Sequence, residues 1–491
     1  MNVIIVCSII LSLLNSVIQA KSEEEQNFAH SIFDGSRTFA KVMELVEQKH
    51  FNITNPEEAI IKAIDAFVTH LDPHSSFLDP KTYKAMLELT SGEFFGVGIV
   101  IDNSRKPKDK ALTIVDILPD GPSDKSGIKP LDKIVEIDGK PLEGMSTEQV
   151  TSLLKGDRNT QVKIKVIRDN NQSLLSFTIT RDIVKEQQSL SFHIKNHNIY
   201  YLSLSMFAES SASQIAALLN KANSQKYKGI ILDLRNNSGG LVNAAVDIAS
   251  LFLNKNSLVV VTKDRNGNEL EKFSTTKDPI ANNALPIFIL INNYTASAAE
   301  ILVGCLKIQA EQATTKKSGN PMVFLVGTKT FGKGSMQEVM EINNNCALKL
   351  TTALYYLSDN SLVQGVGIEP DFAVNYTLPP SEQMQWFTQS YGREETLQNY
   401  IKVADDNQKE KIKKNDIKNN NTEEKNSNRW QERVKKMLET DNQLRVSITL
   451  INTLQIAQKN MPKKIETRQD AIAYLQDHIC IEELEIEEVK L

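Results

Sequence analysis

An alternation of apolar strand-like runs with helical runs between residues 186 and 375 constrains the fold of this chain more than any other feature. The strand candidates are IYYLSLSMF, GIILDLR, LPIFILIN, MVFLVGT and LKLTTALYYL. Helical patterns lie between them, at about 210–222, 241–253 and 297–309. Strands that are apolar along their whole length are typical of sheets that helices cover on both faces. The sequence therefore predicts a layered α/β core in this region.

Two segments precede this core. Residues 21–90 carry apolar residues at helical spacing and end in LDPHSSFLDP, whose two Asp-Pro pairs predict turns. Residues 91–185 contain short β-rich runs, among them FFGVGIVID and LSFTITRDIV. The one clear helix there, STEQVTSLLKG, begins with a capping-box pattern at Ser146. We therefore predict a helical region followed by a small β domain with one docked helix.

The chain continues well beyond the core. Residues 376–429 are polar and low in complexity, which predicts a linker. Helical patterns resume in residues 430–491. The predicted fold class is therefore α/β multidomain, with an N-terminal helical segment and a C-terminal helical extension.

The first 20 residues predict export. They contain an apolar run from Val3 to Leu14, and Ala20 stands just before the charged KSEEE. The run has the length of a signal-peptide core and is short for a membrane span, so we expect cleavage after Ala20. The expected location is the periplasm or another extracytoplasmic space. No Lys or Arg precedes the run, which leaves an uncleaved membrane anchor as the alternative.

Charge and cysteine content argue against several kinds of partner. The formal net charge is −5, from 61 acidic and 56 basic residues, so nothing indicates a nucleic-acid binder. The four cysteines show neither CxxC nor Cys/His ligand spacing, which argues against a metal site and a disulfide framework.

Two loops of the predicted core carry residue types that acyl chemistry uses. In LDLRNNSGG, Gly239 and Gly240 precede a helix, where backbone N–H groups can bind an anion; the alternative is a tight turn. In NNYTAS, Ser297 lies between a strand and a helix, where nucleophiles are commonly presented. Here the alternative is that Thr295 or Ser297 simply caps the helix.

A third loop, GTKTFGKGSMQE, holds Lys333 between two glycines. A lysine that is removed from water has a lowered pKa and can take a proton from a serine. Gln337 could orient the amine through a hydrogen bond, whereas the alternative is a surface turn. No histidine has a setting that suggests a base, so a serine/lysine pair is the more economical assignment.

Six motifs, in this order, resemble those of the carboxy-terminal processing proteases over roughly residues 35–375. They are FFGVGIVI, GPSDKSGIKPLDKIVEIDGKPLEGMS, LDLRNNSGG, NNYTASAAEI, GTKTFGKGSMQ and GVGIEPD. The resemblance implies a PDZ domain (91–185) inserted into an α/β serine protease core (186–375). It also implies cleavage of proteins near the C-terminus by a serine/lysine pair, without a cofactor or a metal.

Carried over position by position, the resemblance implies roles for individual residues. Ser297 matches the nucleophile, Lys333 the general base and Gln337 the residue that holds the lysine. The oxyanion hole is matched by the amide of Ala298 with that of Gly239 or Gly240. The PDZ loop that binds a terminal carboxylate is matched by Gly96, Val97, Gly98 and Ile99. The implied partners are proteins with exposed apolar C-terminal tails. The amphipathic helical patterns near the C-terminus leave open an adaptor or a second copy of the chain as a further partner.

The sequence also departs from the family pattern. Ser297 and Lys333 are 36 positions apart (333 − 297), more than is usual, because EQATTKKSGNPM is inserted. Ser238 stands where the family favours proline, Ala299 where it often has serine, and Leu131 where the PDZ pattern usually has glycine. The alternative function is a catalytically inactive PDZ-bearing binding or scaffolding protein. An acyl-CoA enzyme with a similar core is less favoured, because the PDZ segment has no role there.

Overall fold

The computed structural model describes residues 23–52, 55–101, 108–118, 121–168, 173–185, 188–223, 225–313, 320–343, 345–375, 393–397, 401, 437–461, 465–479 and 481. The predicted signal segment and most of the predicted linker lie outside these residues. The chain forms two units, Met1–Asp65 and Ala66–Leu491. Within the described ranges, no helix is both long enough and apolar enough to cross a membrane.

The first unit is helical, as predicted. It contains α1 (Glu23–Lys49) and most of α2 (Pro56–Thr69). The predicted helix start is present, because the Asn55 side chain accepts the N–H of Glu57 at 3.1 Å and proline occupies the first helical position.

After the end of α2, the second unit continues with a short strand and a helix, and that helix replaces the second of the two predicted turns. β1 (Ser76–Leu78) lies within LDPHSSFLDP, and α3 (Pro80–Ser91) starts at its second Asp-Pro pair. The Asp79 side chain accepts the N–H of Thr82 at 2.7 Å, which makes this pair a helix cap. The prediction of a turn at this pair was wrong because Asp-Pro also suits the cap and first position of a helix.

The PDZ segment contains a six-stranded antiparallel sheet with two helices. The elements of this region are β2 (Glu93–Gly96), β3 (Ile99–Ile101), β4 (Leu112–Ile117), α4 (Pro122–Ser126), β5 (Lys133–Ile137), β6 (Lys140–Pro141), α5 (Thr147–Leu154), β7 (Gln161–Arg168), β8 (Ser173–Thr180) and β9 (Asp182–Lys185). The sheet order is β3-β4-β5-β7-β8, with β6 paired to β5. The predicted capping box of α5 is confirmed, because Ser146 and Gln149 exchange both hydrogen bonds. Leu131 has a φ of 75°, so a leucine occupies a conformation that favours glycine.

Two predicted strand runs are each broken into two strands. FFGVGIVID breaks at Val97 and Gly98, where Gly98 has a φ of 72°, and LSFTITRDIV breaks at Arg181. The Arg181 guanidinium turns inward to bind the carbonyls of Leu153 at 2.7 Å and Leu154 at 3.2 Å. As a result, β2 and β9 pair as a separate ribbon that joins the PDZ sheet to the protease core.

The core holds a second six-stranded sheet. Its elements and their neighbours are β10 (Ser189–Ile194), β11 (Ile199–Leu204), α6 (Ser211–Asn223), β12 (Gly229–Asp233), α7 (Val242–Ala249), β13 (Leu258–Lys263), β14 (Glu269–Ser274), β15 (Ile287–Ile291), α8 (Ala298–Gln312), β16 (Val323–Gly327), β17 (Ser335–Asn343), β18 (Cys346–Leu357) and β19 (Phe372–Ala373). The sheet order is β10-β11-β12-β15-β16-β19, and every pair except β10-β11 is parallel. All residues of β12, β15 and β16 are buried, as expected for strands covered on both faces.

One predicted core strand belongs to another sheet. LKLTTALYYL forms part of β18, which lies in a five-stranded antiparallel sheet with β1, β13, β14 and β17. Burial alternates along the second half of β18, the pattern of a sheet with one covered face. Apolar content alone therefore does not separate this strand from the parallel ones.

The C-terminal helices form one layer of the core. α6, α7 and α8 cover one face of the parallel sheet, and α9 (Asn442–Asn460) and α10 (Arg468–His478) pack on the other. A buried ion pair fixes this layer, because Arg235 Nη2 lies 2.6 Å from Asp233 Oδ2 and 2.7 Å from Asp441 Oδ2. The segment predicted as a helical extension thus completes the sandwich around the sheet.

Candidate active site

Three loops meet at one edge of the parallel sheet. β12, β15 and β16 are neighbouring parallel strands, so their carboxyl ends lie side by side, where α/β sheets usually bind ligands. The loop after β12 carries the Gly239–Gly240 pair, the loop after β15 carries Ser297, and the loop after β16 carries Lys333. The strand order therefore explains why residues far apart in sequence come together.

Ser297 sits at the start of α8 in a strained backbone conformation. Its φ is 58° and its ψ is −122°, a region that non-glycine residues rarely occupy. The turn before it is held by Thr295, whose hydroxyl donates to Leu234 O at 2.9 Å and accepts the N–H of Asn292 at 3.0 Å. Ser297 is the N-cap residue of α8, so the capping role that the sequence offered as an alternative falls on Ser297, and Thr295 holds the turn before it.

Lys333 has a half-buried side chain and a tightly held amine. Its Nζ donates to Gln337 Oε1 at 2.6 Å and to Ser335 O at 2.9 Å. Gln337 is fixed in turn, because its Nε2 donates to Ser335 Oγ at 3.0 Å and to Thr351 Oγ1 at 3.1 Å. The predicted contact between Gln337 and the lysine is present.

The surroundings of Lys333 favour the neutral amine. Burial, with a further contribution from the charge of Lys349, lowers the pKa of Lys333 from 10.5 to about 8. The negative charges of Glu394, Glu300 and Asp72 act in the opposite direction and raise this pKa. About a tenth of the amine is therefore neutral at pH 7, far more than for a lysine of ordinary pKa.

The two glycines differ in what their N–H groups do. Gly239 N donates to Asn237 Oδ1 at 2.9 Å, whereas among the described residues the N–H groups of Gly240 and Ala298 have no acceptor. A side chain is impossible at either glycine without rearrangement. An added Cβ would lie 2.7 Å from Ser297 Cβ at Gly239, and 2.2 Å from a backbone oxygen at Gly240.

A single cavity brings most of these residues together. It has a volume of about 740 Å³, and Ser297, Lys333, Gln337 and Gly240 line it. Despite the 36-residue spacing, the serine and the lysine line the same cavity, because the inserted residues fall at the end of α8 and in its connection to β16. The predicted PDZ loop is not among the residues that line this cavity.

The predicted PDZ loop lies at an edge of the PDZ sheet. Val97 O accepts the N–H of Ser123 at 2.9 Å, and Gly98 O accepts the N–H of Leu118 at 3.0 Å, so the loop carbonyls are engaged within the domain. β3, which begins at Ile99, pairs only with β4 among the described strands. Its second edge therefore has no strand partner among the described residues, whereas the Val97 side chain is buried in the PDZ core.

Comparison with known proteins identifies the family. Residues 198–374 match peptidase family S41, and residues 84–167 match the PDZ domain. A carboxy-terminal-processing protease of Bartonella bacilliformis is 32% identical over 375 residues, which cover 76% of this chain and 81% of that protein. The chain belongs to the carboxy-terminal processing proteases.

Other processing proteases are similar over comparable lengths. That of Bacillus subtilis is 28% identical over 75% of both chains, and that of Synechocystis is 31% identical over 66% of this chain and 73% of the relative. A solved photosystem II D1 C-terminal processing protease is 25% identical over 68% of this chain and 86% of that one, with a TM-score of 0.38. The predicted family and fold class are confirmed.

Glu300 is a residue of this processing protease that the sequence reasoning missed. Its buried carboxylate links the serine loop to the lysine loop, since Oε2 accepts the N–H of both Ser297 and Lys333 at 2.9 Å. Its Oε1 accepts Thr330 Oγ1 at 2.5 Å and the N–H of Gly332 at 2.8 Å. Burial raises the pKa of Glu300 to about 7, against the four hydrogen bonds that lower it.

A sequence signal for Glu300 did exist. It is the only acid in the otherwise apolar first half of α8, and it stands three residues after Ser297 in a capping-box spacing. Tyr355 gives no such signal, because it lies in an ordinary strand pattern. Its buried hydroxyl donates to the carbonyls of Lys333 and Ser297, which adds a second link between the two loops.

We expect Glu300→Gln to lower kcat/KM by about 10- to 100-fold and the free energy of unfolding by roughly 1–3 kcal/mol. Each oxygen of Glu300 accepts two hydrogen bonds. A carboxamide replaces one of these oxygens with an NH₂ group, which cannot accept, so two of the four donors lose their acceptor. Peptide cleavage and chemical denaturation measure the two effects. The matched control is Glu311→Gln on the same helix, where the side chain pairs with Arg468 Nη1 at 3.1 Å. Equal activity of the two variants contradicts a role for Glu300 in the site.

Proposed function

We propose that this processing protease is a serine endopeptidase that uses Ser297 as nucleophile and Lys333 as general base. The observation that carries the proposal is the half-buried Lys333 side chain, whose amine is held by Gln337 and which lines the same cavity as Ser297. A lysine of ordinary pKa is protonated at neutral pH and cannot accept a proton. The lowered pKa of Lys333 supports its use as the base.

The reaction has two steps. Ser297 Oγ attacks the scissile carbonyl carbon while its proton moves to Lys333 Nζ, and the tetrahedral intermediate then breaks its C–N bond. Lys333 returns the proton to the departing amine, which leaves an ester on Ser297. Water attacks that ester, its proton passes to Lys333 and then to Ser297 Oγ, and the carboxylate product leaves.

The oxyanion of the intermediate is held by backbone amides. The sequence left open whether Gly239 or Gly240 joins Ala298 in this role. The hydrogen bond from Gly239 N to Asn237 Oδ1 favours Gly240, since an N–H that is already engaged stabilises a developing charge less.

Substrate selection is assigned to the PDZ domain. We infer that a substrate tail adds as a strand along the free edge of β3 and that its terminal carboxylate binds N–H groups of the loop from Gly96 to Ile99. The free edge supports strand addition. Apolar side chains of the tail are expected to pack beside β3. Residues 1–20, which lie outside the described residues, are the basis for proposing an extracytoplasmic location.

An unstructured polypeptide with an apolar tail tests the proposal. We expect the wild type to cleave the free-carboxylate form, and conversion of the tail to an amide to lower kcat/KM by about tenfold or more, because one charge-assisted interaction is lost. Product masses locate the cleavage, and the Ser297→Ala variant gives the background. Equal rates for acid and amide contradict tail recognition by the PDZ loop. Absence of cleavage by the wild type favours the scaffolding alternative.

A further inference from the structure

A buried carboxylate lies behind the lysine loop, on a segment that the sequence assigned to a linker. Glu394 belongs to the described segment 393–397 and is fully buried. An unpaired carboxylate is costly to bury, so its partners indicate what it does. The partners come from two other parts of the chain.

The first partner is His74, from the LDPHSSF turn before the PDZ domain. Its Nε2 lies 2.8 Å from Glu394 Oε2 and 2.9 Å from Oε1. An ionised carboxylate only accepts hydrogen bonds, so Nε2 carries the proton. These two residues are 320 positions apart in sequence, and both lie outside the segments that match the family models.

The second partner is Gln364, which connects Glu394 to the lysine loop. Gln364 Nε2 donates to Glu394 Oε1 at 2.9 Å, and its Oε1 accepts the N–H of Gly334 at 2.7 Å. The backbone makes a further contact, because Glu394 N donates to Phe331 O at 3.3 Å. The two contacts with the lysine loop flank Lys333, since Phe331 is two positions before it and Gly334 is one position after it.

The turn that supplies His74 also supports the other side of the lysine. Asp72 Oδ1 accepts Thr351 Oγ1 at 3.0 Å, and Thr351 Oγ1 accepts Gln337 Nε2 at 3.1 Å. Gln337 in turn accepts the Lys333 amine. The LDPHSSF turn therefore reaches Lys333 by two routes, one through its amine and one through its backbone.

We propose that Glu394, with His74 and Gln364, forms a clamp that positions the loop carrying Lys333, so that residues 393–397 are part of the active-site scaffold. The clamp rests on the proposed function, because it acts through the proposed base. Glu394 does not line the cavity, and it therefore acts as a positioning residue.

The test compares Glu394→Ala and Glu394→Gln with Glu395→Ala in the full chain. Glu395 is the neighbouring carboxylate. Its side chain is 43% exposed and lies 3.4 Å from Arg393 Nη1. We expect Glu394→Ala to lower kcat by about tenfold or more with KM within about threefold, because small displacements of a catalytic group cost rate rather than binding. Glu394→Gln should lose less activity, because its amide oxygen can still accept the hydrogen bond from Gln364 Nε2. Glu395→Ala should match the wild type.

The pH profile of kcat/KM separates positioning from other effects. The groups that face Lys333 are Lys349 and Tyr355 on β18, Glu300 on α8, Asp72 and Glu394. A loosened loop admits water to Lys333, so its pKa rises and the ascending limb of Glu394→Ala moves to higher pH. Loss of the Glu394 charge alone would lower the pKa of Lys333 and move the limb to lower pH. A shift in that direction overturns the positioning role. The positioning role is also overturned if kcat/KM falls by the same factor at every pH, in proportion to the folded fraction of the variant. A kcat within twofold of wild type in both Glu394→Ala and Glu394→Gln overturns it as well.

His74→Gln provides a second and independent variant. A shared clamp predicts that His74→Gln/Glu394→Ala is no slower than the slower single variant, whereas independent roles predict that the two losses multiply. Additive losses therefore contradict the clamp. Wild type and Ser297→Ala are measured alongside, because equal rates for those two would show that the proposed function itself has failed.

Discussion

Ser297→Ala is expected to reduce cleavage of a tail-bearing polypeptide by at least about 10³-fold, with product formation at the background level. The variant lacks the hydroxyl of the proposed nucleophile, whose position is set by the turn that Thr295 holds at the carboxyl end of β15. Substrate binding should be unchanged, since the variant retains the PDZ domain and the cavity. The measurements are product masses over time and the affinity for a non-cleaved tail peptide.

A glycine at the same position separates catalysis from backbone strain. Ser297→Gly should be as inactive as Ser297→Ala but more stable by roughly 1 kcal/mol, because a φ of 58° suits glycine and strains alanine. Ser213→Ala, an exposed substitution on α6, is the matched control and should retain wild-type activity. Residual activity of Ser297→Ala above a few per cent of the wild-type rate would rule out this residue as the nucleophile.

Lys333→Ala should produce a loss of similar size and remove the ascending limb of the pH profile. In the wild type, kcat/KM should rise through a midpoint near pH 8, because the amine must be neutral to accept the serine proton and its pKa is about 8. Below that pH the amine is protonated and activity falls about tenfold per pH unit. Rates from pH 6 to 10 with one peptide measure the limb.

Lys349→Gln tests whether the limb belongs to Lys333. The charge of Lys349 lowers the pKa of Lys333, so its removal should move the midpoint to higher pH while the activity at the plateau is kept. A limb that survives in Lys333→Ala, or a wild-type profile that is flat between pH 6 and 10, would show that another group is the base.

The sequence predicted the parts of this site better than the connections between them. Ser297, Lys333 and the glycine pair follow buried strands, and parallel pairing of those strands brings their loops to one edge. Periodicity does not predict pairing partners, so LKLTTALYYL was assigned to the wrong sheet. FFGVGIVID was read as one strand because apolar content continues through the positive φ of Gly98.

The connecting residues were missed for a different reason. Glu300 had a local signal in its spacing from Ser297, but His74 and Glu394 have none. A buried polar residue is recognised only when its partner is known. His74 and Glu394 are 320 positions apart in sequence, and only the tertiary fold brings them together. Composition placed Glu394 in a polar linker, because a single buried acid does not change the average character of its segment.

The burial of α9 and α10 against the parallel sheet determines when the core can finish folding during synthesis. The sheet that aligns the three active-site loops keeps one apolar face uncovered until the chain has been made as far as these helices, and Arg235 lacks Asp441 until then. Peptide-bond synthesis proceeds from the N-terminus, so the serine, the lysine and the PDZ domain all exist before the layer that supports them. A protease of this architecture therefore completes its catalytic machinery only after α9 and α10 have been synthesised.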